Sequence, residues 1–382
     1  MIYLFDYATL KLIWWLFVGV LLVGFVILDG FDLGIGTLLP FVARSDDERR
    51  VVINSIGPTW EGNQVWFITA GGATFAAWPL VYATAFSGFY VALILTLFAL
   101  FMRPVGFDYR SKVADPRWRS MWDWGLFVGG FVPALIFGVA FGNLLLGVPF
   151  HFDGDQRVFY TGTFLSLLNP FALLAGVVSV SMLTMHGAIY LQLRTEGAVQ
   201  ARAARAALLA GAVFVFAFAG AGLWIATGID GYRIVTMPSA NTAFGPLAKT
   251  VEAMPGAWLW NYAKHPWTVA APIAAFGGAL LGMAASFARR PGLGFVLSSV
   301  AVAAVVLTAG FAMFPFIMPS TSDPASSLTV WDAVSSRHTL QIMFWVVVLF
   351  LPLVLLYTGW VYRVMRGTIT ERQVREDGHS LY

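Results

Sequence analysis

Two acidic residues stand inside a long apolar run near the start of the chain, in the segment LDGFDLGIG. Asp29 and Asp32 are three residues apart, so a helix would carry both carboxylates on one face. Ionisable side chains at membrane depth are costly and mark proton or ion pathways. The pair therefore indicates a proton-accepting site in a hydrated crevice. The alternative is a pair of acids near the cytoplasmic water that cap the helix or pair with arginine.

Small residues accompany this acid pair. Gly30 and Gly34 form a GxxxG step, and Gly36 adds a third small residue. Small residues at such spacing let the backbone of a neighbouring helix approach closely in a membrane. We therefore expect another helix to pack directly against this part of the first helix.

A second polar group lies in GPTWEGNQVW, at the start of the next apolar run. Glu61 is followed by Asn63 and Gln64, and Trp66 lies one turn further along. Carboxylate, amide and indole groups together can hold a chain of waters, so these residues are candidates for a proton path. The alternative for Glu61 is helix capping, because an acid in the first turn interacts favourably with the helix dipole.

The densest polar segment is residues 103–125, which alternates charged residues with aromatic ones. Its aromatic side chains are poorly suited to bare solvent, so the segment is a candidate surface for a partner or a quinone-like ring. The alternative is a solvated basic loop. The contact candidates are Arg103, Asp108, Arg110, Trp122 and Asp123.

One histidine, His186, lies in the middle of an apolar run, with Met182 four residues earlier on the same helix face. A His–Met pair can ligate haem, but a single histidine is a weak signal, and a hydrogen-bonded core histidine is favoured. The remaining histidines do not have metal-ligand spacing. The absence of cysteine excludes thiolate-held clusters, disulfides and covalently attached c-type haem. No metal site is expected on this chain.

The amino-acid composition predicts the type of fold that carries these candidate residues. The chain of 382 residues is 59% hydrophobic and 11% charged, whereas soluble domains carry about 25% charged residues. This composition predicts an all-α polytopic membrane protein. We expect one membrane domain over residues 1–382, with approximate halves 1–150 and 151–330, a last helix at 339–362 and a tail at 363–382. Nine spans are predicted near residues 10–41, 62–79, 80–102, 122–147, 166–193, 206–228, 267–288, 293–318 and 339–362.

Basic residues are distributed unequally between the two faces that these spans define. Of the 23 Lys and Arg residues, 17 fall on one face and 6 on the other. The positive-inside rule assigns the richer face to the cytoplasm. The prediction is a periplasmic N-terminus and a cytoplasmic C-terminus, with ordered caps formed on the periplasmic side by residues 148–165, 229–266 and 319–338.

Several long segments resemble subunit II of the cytochrome bd-type quinol oxidases, from near residue 10 to the C-terminus. They are WWLFVGVLLVGFVILDGFDLGIG (14–36), RRVVINSIGPTWEGNQVWFITAGGATFAAWPLVYATAFSGFYVALIL (49–95), RPVGFDYRSK with RWRSMWDWG (103–125), VAFGNLLLGVPF (139–150), YTGTFLSLLNPFALLAGVVSV (160–180), AMFPFIMPS (312–320), SLTVWDA (327–333) and the ending HSLY.

The resemblance implies two four-helix bundles plus one peripheral helix, which agrees with nine spans. It also implies a bacterial inner-membrane complex with a larger subunit I, often with a small third subunit. That complex oxidises quinol, reduces O₂ to water and generates a proton motive force. Two haems b and one haem d are expected on subunit I and none on this chain, so no complete catalytic site is expected here.

Within that family, Asp29, Asp32, Glu61 and Trp66 match polar and channel-lining motifs, which makes them, with Asn63 and Gln64, candidates for proton or O₂ access. The Glu61 position is commonly Asp, and His186 is commonly a non-ligand such as Gln. Water formation consumes protons at a buried site, and acids at a cytoplasmic entrance suit their delivery. A membrane transporter and a purely structural subunit are the alternatives.

Overall fold

The computed structural model describes residues 4–376, so the HSLY ending lies outside the described residues. In this range the α-helices are α1 (Tyr7–Val42), α2 (Asp46–Ile56), α3 (Trp60–Ala77), α4 (Pro79–Gly88), α5 (Tyr90–Tyr109), α6 (Pro116–Leu146), α7 (Pro170–Arg194), α8 (Gly197–Gly228), α9 (Trp260–Lys264), α10 (Ala270–Phe287), α11 (Pro291–Met313), α12 (Arg337–Val364) and α13 (Glu371–Glu376). The strands are β1 (Phe150–Phe152), β2 (Val158–Tyr160), β3 (Asp230–Thr236), β4 (Thr250–Pro255), β5 (Phe316–Met318) and β6 (Leu328–Thr329).

Eight helices of the described chain are long and apolar enough to cross a membrane: α1, α5, α6, α7, α8, α10, α11 and α12. The 18-residue α3 is not among them, because its first turn is polar. Together with α3 they correspond to the nine predicted segments. The fold is that of an all-α polytopic membrane protein, as predicted.

Three local features differ from the predicted spans. The span predicted over 293–318 ends too late, because α11 ends at Met313 and residues 316–318 form β5. The predicted helix over 80–102 is divided into α4 and α5, with Gly88 at the break beneath the ring of Tyr160; a Cβ at Gly88 would lie 2.7 Å from that ring. Helix α2 was not predicted at all. The sequence nevertheless contains a signal for the start of this helix, because Ser45 and Glu48 form a capping box.

The long helices form two groups. Helices α1, α3, α5 and α6 pack together, as do α7, α8, α10 and α11, and the groups meet where α1 and α6 contact α7. Helix α12 is peripheral and packs along α1 and α3. The glycines of α1 permit the closest contact, since a Cβ on Gly34 would lie 3.2 Å from the Cα of Gly187 on α7. The predicted close approach of a neighbouring helix is confirmed.

The segments that join the helices at one end form ordered caps, as predicted. Each cap contains an antiparallel strand pair: β1 with β2, β3 with β4, and β5 with β6. Lys11, at the start of α1, donates to three backbone carbonyls of these segments. Lys249 forms a buried ion pair with Asp332 at 2.9 Å. Burial lowers the pKa of Lys249, while the Asp332 carboxylate opposes that change.

Candidate functional site

The acid pair of α1 lies inside the first helix group and shares one arginine. Asp29, Asp32 and Arg103 of α5 are only 1%, 2% and 3% exposed. Arg103 binds Asp29 through both terminal nitrogens, at 2.6 and 3.2 Å from the two carboxylate oxygens. This is the bidentate geometry in which guanidinium and carboxylate interact most strongly. The predicted common face is confirmed, and Asp29 follows the alternative in which an acid pairs with arginine.

Asp32 is held differently. Its Oδ2 atom is 3.8 Å from Nη2 of Arg103, too far for a hydrogen bond, and accepts instead from the side-chain amide of Asn63 at 2.8 Å. The Oδ1 atom is buried and has no hydrogen-bond partner within the described chain. Asn63 accepts in turn from the hydroxyl of Tyr362 on α12, at 2.7 Å. Asp32 therefore has one oxygen fixed by a donor and one left available.

The two acids share a single basic side chain, and this distinguishes their roles. Among residues 4–376, Arg103 is the one basic side chain that forms an ion pair with Asp29 or Asp32. Isolated charge in a low-dielectric interior is costly, so a buried cluster of two carboxyls and one guanidinium favours a single proton shared between the acids. Arg103 is committed to Asp29 by two hydrogen bonds. Of the two acids, Asp32 is therefore the better placed to carry a proton, because its Oδ1 atom has no partner within the described residues.

A cavity connects this cluster with α2. It contains about 310 Å³ of empty space, including its open mouth, and Asp32 and Arg103 form part of its wall. Val52, Ile53 and Ile56 of α2 line the opposite side. Its narrow interior has room for on the order of one or two waters. A water there could hydrogen-bond to Asp32, so the cavity is a candidate route to the acid from the end of the bundle that carries α2.

Aromatic rings close the cluster on the α3 side. The rings of Trp60 and Phe107 stack with centroids 4.9 Å apart, and the Arg103 guanidinium carbon lies 5.3 Å from the Trp60 ring centre. A cation near an aromatic face is stabilised by the ring quadrupole. The rings therefore hold Arg103 in place and limit the access of water.

Three of the predicted contact residues lie inside the chain instead. Arg110 and Asp123 are each 1% exposed, and Arg110 donates to Asp123 at 2.6 Å and to Asp46 at 2.9 Å. Arg49 of α2 also binds Asp123, at 2.7 Å. These ion pairs fasten α2 to α6 and to the residues that directly follow α5. The third residue, Arg103, belongs to the acid cluster. These buried side chains are therefore not available to a partner or a quinone.

The other side of α2 is held by α8 and α13. Glu48 forms an ion pair with Arg202 of α8 at 2.5 Å and accepts hydrogen bonds from the backbone of Arg44 and Ser45. Burial opposes ionisation of Glu48, but these hydrogen bonds outweigh it and lower its pKa. Arg375 of α13 binds Asp47 of α2 at 2.7 Å. Helix α2 is thus fixed over the cavity from both sides.

The remaining predicted residues do not join the cluster directly. Glu61 lies in the first turn of α3 with its side chain exposed, and Gln64 is half-buried. Trp66 is buried and its indole packs onto Gly24 of α1. In the segment predicted to contact a partner, Asp108 is exposed.

Trp122, the last of those contact candidates, is half-buried and lies edge-to-face against Trp118, with ring centroids 5.8 Å apart. Of that predicted set, Asp108 and Trp122 are the residues that retain accessible surface.

His186 is fully buried and uses both ring nitrogens in hydrogen bonds. Nδ1 lies 2.8 Å from the Ser298 hydroxyl, and Nε2 lies 2.9 Å from the Ile27 carbonyl oxygen. The ring also stacks on Phe295, with centroids 5.0 Å apart. Iron coordination needs a ring nitrogen with an available lone pair, and both nitrogens of His186 are already engaged within this chain, so this environment does not fit a haem ligand. Within residues 4–376 no group of three His, Cys, Asp or Glu side chains could hold a metal ion.

Sequence reasoning missed Tyr362 and assigned Arg103 to the wrong environment. Arg103 is 74 residues from Asp29 in the chain, and Tyr362 is 299 residues from Asn63. An arginine near the end of an apolar run has the same appearance whether it turns inward or outward. Two buried acids require a basic side chain near by, and this was the signal that the sequence offered. It identifies Arg103 only when α1 and α5 are known to be neighbours.

Comparison with known proteins agrees with the resemblance. Residues 10–365 match the family described as Cytochrome bd terminal oxidase subunit II. The chain is 54% identical over 377 residues to Cytochrome bd-I ubiquinol oxidase subunit 2 of Escherichia coli K12, covering 99% of this chain and 100% of the relative. It is 33% identical over 369 residues to Cytochrome bd ubiquinol oxidase subunit 2 of Bacillus subtilis, covering 96% and 98%.

The fold also has a counterpart among solved structures. A chain of the bd oxidase from Geobacillus thermodenitrificans superposes with a TM-score of 0.67, covering 94% of this chain and 99% of that chain at 12% identity. This likeness shows a shared fold. Taken with the family match over nearly the whole chain and the identity to curated relatives, it shows that the chain belongs to the cytochrome bd terminal oxidase subunit II family.

Proposed function

We propose that this chain is subunit II of a cytochrome bd-type quinol oxidase in the bacterial cytoplasmic membrane. It would support a haem-bearing subunit I that oxidises quinol and reduces O₂ to water, with the two haems b and the haem d on subunit I and a small third subunit as a further partner. Support comes from the family match and from relatives named as ubiquinol oxidase subunits. The environment of His186 gives no reason to place a haem on this chain.

Its own chemical contribution is proton delivery. The observation that carries this proposal is that two buried carboxyls share one guanidinium while Asp32 keeps one oxygen without a partner. Asp29 serves as the fixed counter-ion of Arg103. Asp32 accepts a proton through the cavity beneath α2 and releases it toward the subunit interface. A positioned side chain that changes protonation in this way is a general acid–base relay.

Orientation follows from the distribution of charge. The Arg-rich connections include α2 and the α5–α6 junction, and the positive-inside rule places them in the cytoplasm. The N-terminus and the three caps are then periplasmic. The α2 wall of the cavity then lies toward the compartment from which protons must be taken for water formation to build a membrane potential.

Two further α3 residues are proposed to serve access to the complex, separately from the acid cluster. Glu61 is exposed on this chain and faces away from the buried Asn63, since residues two apart on a helix do not share a face, so it is available to a partner subunit and to water. Trp66 is buried among apolar residues of α1 and α3. O₂ is apolar and enters such surroundings readily, which makes this region a candidate for O₂ access.

Purification of the native complex tests the subunit assignment. An affinity tag on this chain should bring down a larger membrane protein together with haem, and the absorption spectrum should contain a d-type haem band. A chain that purifies alone, without haem, from membranes that contain active quinol oxidase would contradict the assignment.

A further inference from the structure

Helix α12 is peripheral, yet one of its side chains reaches the acid cluster. Two residues of α12 are buried, Leu340 and Gln341, and both lie at its opposite end. Near its C-terminal end the half-buried Tyr362 donates its hydroxyl proton to Oδ1 of Asn63 at 2.7 Å. Its ring lies edge-on against Phe31 of α1, with centroids 6.4 Å apart, and Phe31 stacks on Tyr190 of α7 at 3.9 Å. These rings fix the position of the phenol.

The direction of hydrogen bonding through Asn63 follows from its chemistry. An amide oxygen can only accept and an amide nitrogen can only donate. Because the phenol occupies the oxygen, the NH₂ group faces Asp32 and donates to Oδ2 at 2.8 Å. If the amide were reversed, its nitrogen would donate to the phenol oxygen, and its oxygen would face Oδ2 of Asp32 and could be satisfied only by a proton on that oxygen. By donating to the amide oxygen, the Tyr362 hydroxyl favours the orientation in which the amide donates to Oδ2 and leaves Oδ1 for the proton.

We infer that Tyr362, acting through Asn63, is a positioning residue that fixes which oxygen of Asp32 exchanges protons. With Oδ2 held by the amide, Oδ1 is the exchanging atom. The charged and titratable groups facing Asp32 are Asp29 and Arg103, with the phenols of Tyr190 and Tyr362 near by. This inference rests on the proposed proton role of Asp32.

The test compares two Tyr→Phe substitutions on the same helix in the purified oxidase complex. Tyr362→Phe removes the hydroxyl that orients Asn63, and Tyr357→Phe is the matched control, because Tyr357 is 65% exposed. Infrared difference spectra should contain a protonated-carboxyl C=O band that Asp32→Asn removes. We expect Tyr362→Phe to shift that band and to lower turnover about three- to tenfold, the range that one hydrogen bond is worth. Tyr357→Phe should leave both unchanged.

Each outcome bears on a definite claim. A band that survives in Asp32→Asn refutes the proton role of Asp32, and the inference about Tyr362 falls with it. A band that Asp32→Asn removes but Tyr362→Phe leaves in place overturns the positioning role alone.

If Tyr362→Phe does not assemble with haem, Asn63→Ala decides by the same band: a shift supports the inference and an unshifted band overturns it. Where both single variants assemble, the double variant should shift the band no further than Asn63→Ala, since residues of one chain of hydrogen bonds are not additive.

Discussion

Replacing the two acids of α1 by amides, singly and together, distinguishes their roles. Asp32→Asn keeps the shape of the side chain, and its amide oxygen can still accept from Asn63. The Asp29–Arg103 pair remains intact and neutral. The variant complex should therefore assemble with normal haem content, although the position can no longer carry a proton.

The expected loss of turnover follows from removing a group that carries a proton, and the expected loss of assembly follows from the charges that remain. General acid–base groups are typically worth 10²–10⁴-fold, and a parallel route through water would soften the loss, so Asp32→Asn should slow turnover by about tenfold or more. Asp29→Asn leaves Asp32 as the counter-ion of Arg103, which holds it ionised and should also slow turnover. The double variant leaves Arg103 buried without a counter-ion, at a cost of about 3–5 kcal/mol. It should lose assembled complex.

The assay is O₂ consumption by the purified complex with excess quinol, normalised to haem d. Asp115→Asn is the matched control, because Asp115 is an exposed helix cap and Asn caps equally well. Wild-type turnover in Asp32→Asn would refute the relay. Normal assembly of the double variant would refute the charge counting, because Arg103 would then need no acidic partner.

Three further outcomes are expected. Glu61→Gln should slow turnover about tenfold while Glu61→Asp retains most activity, since only the latter keeps a carboxyl; equal rates for wild type and Glu61→Gln would leave Glu61 as a helix-capping acid. His186→Ala should leave the haem spectrum of the assembled complex unchanged, because both ring nitrogens are already bonded within this chain; loss of one haem band with both subunits present would contradict this. Topology reporters should read cytoplasmic after Arg375 and periplasmic near Asn241, and the reverse pattern at both sites would overturn the orientation.

Local sequence was sufficient for features that depend on neighbours along one helix. The common face of Asp29 and Asp32 follows from helical spacing, and the close approach at Gly34 follows from residue size. Most spans follow from apolar length alone. Helix α2 was not predicted because it is short and polar, although Ser45 and Glu48 mark its start.

Features that depend on tertiary contact were beyond that reasoning. Whether Arg103 turns toward α1 is decided by which helices pack together. The link from Tyr362 to Asn63 joins distant parts of the chain through a peripheral helix whose periodicity gives no sign of it. The break between α4 and α5 lies where Gly88 packs against the ring of Tyr160, a residue of a later cap.

The most direct test of the proton role is time-resolved proton uptake by the complex in oriented vesicles. Fully reduced enzyme would be mixed with O₂ while a pH dye reports uptake from the side that carries α2 and haem absorbance reports electron transfer. We expect Asp32→Asn to delay proton uptake about tenfold or more while the first, proton-independent electron transfer keeps its wild-type rate. Uptake at the wild-type rate in Asp32→Asn would show that the protons reach the site of O₂ reduction without this chain's acid pair.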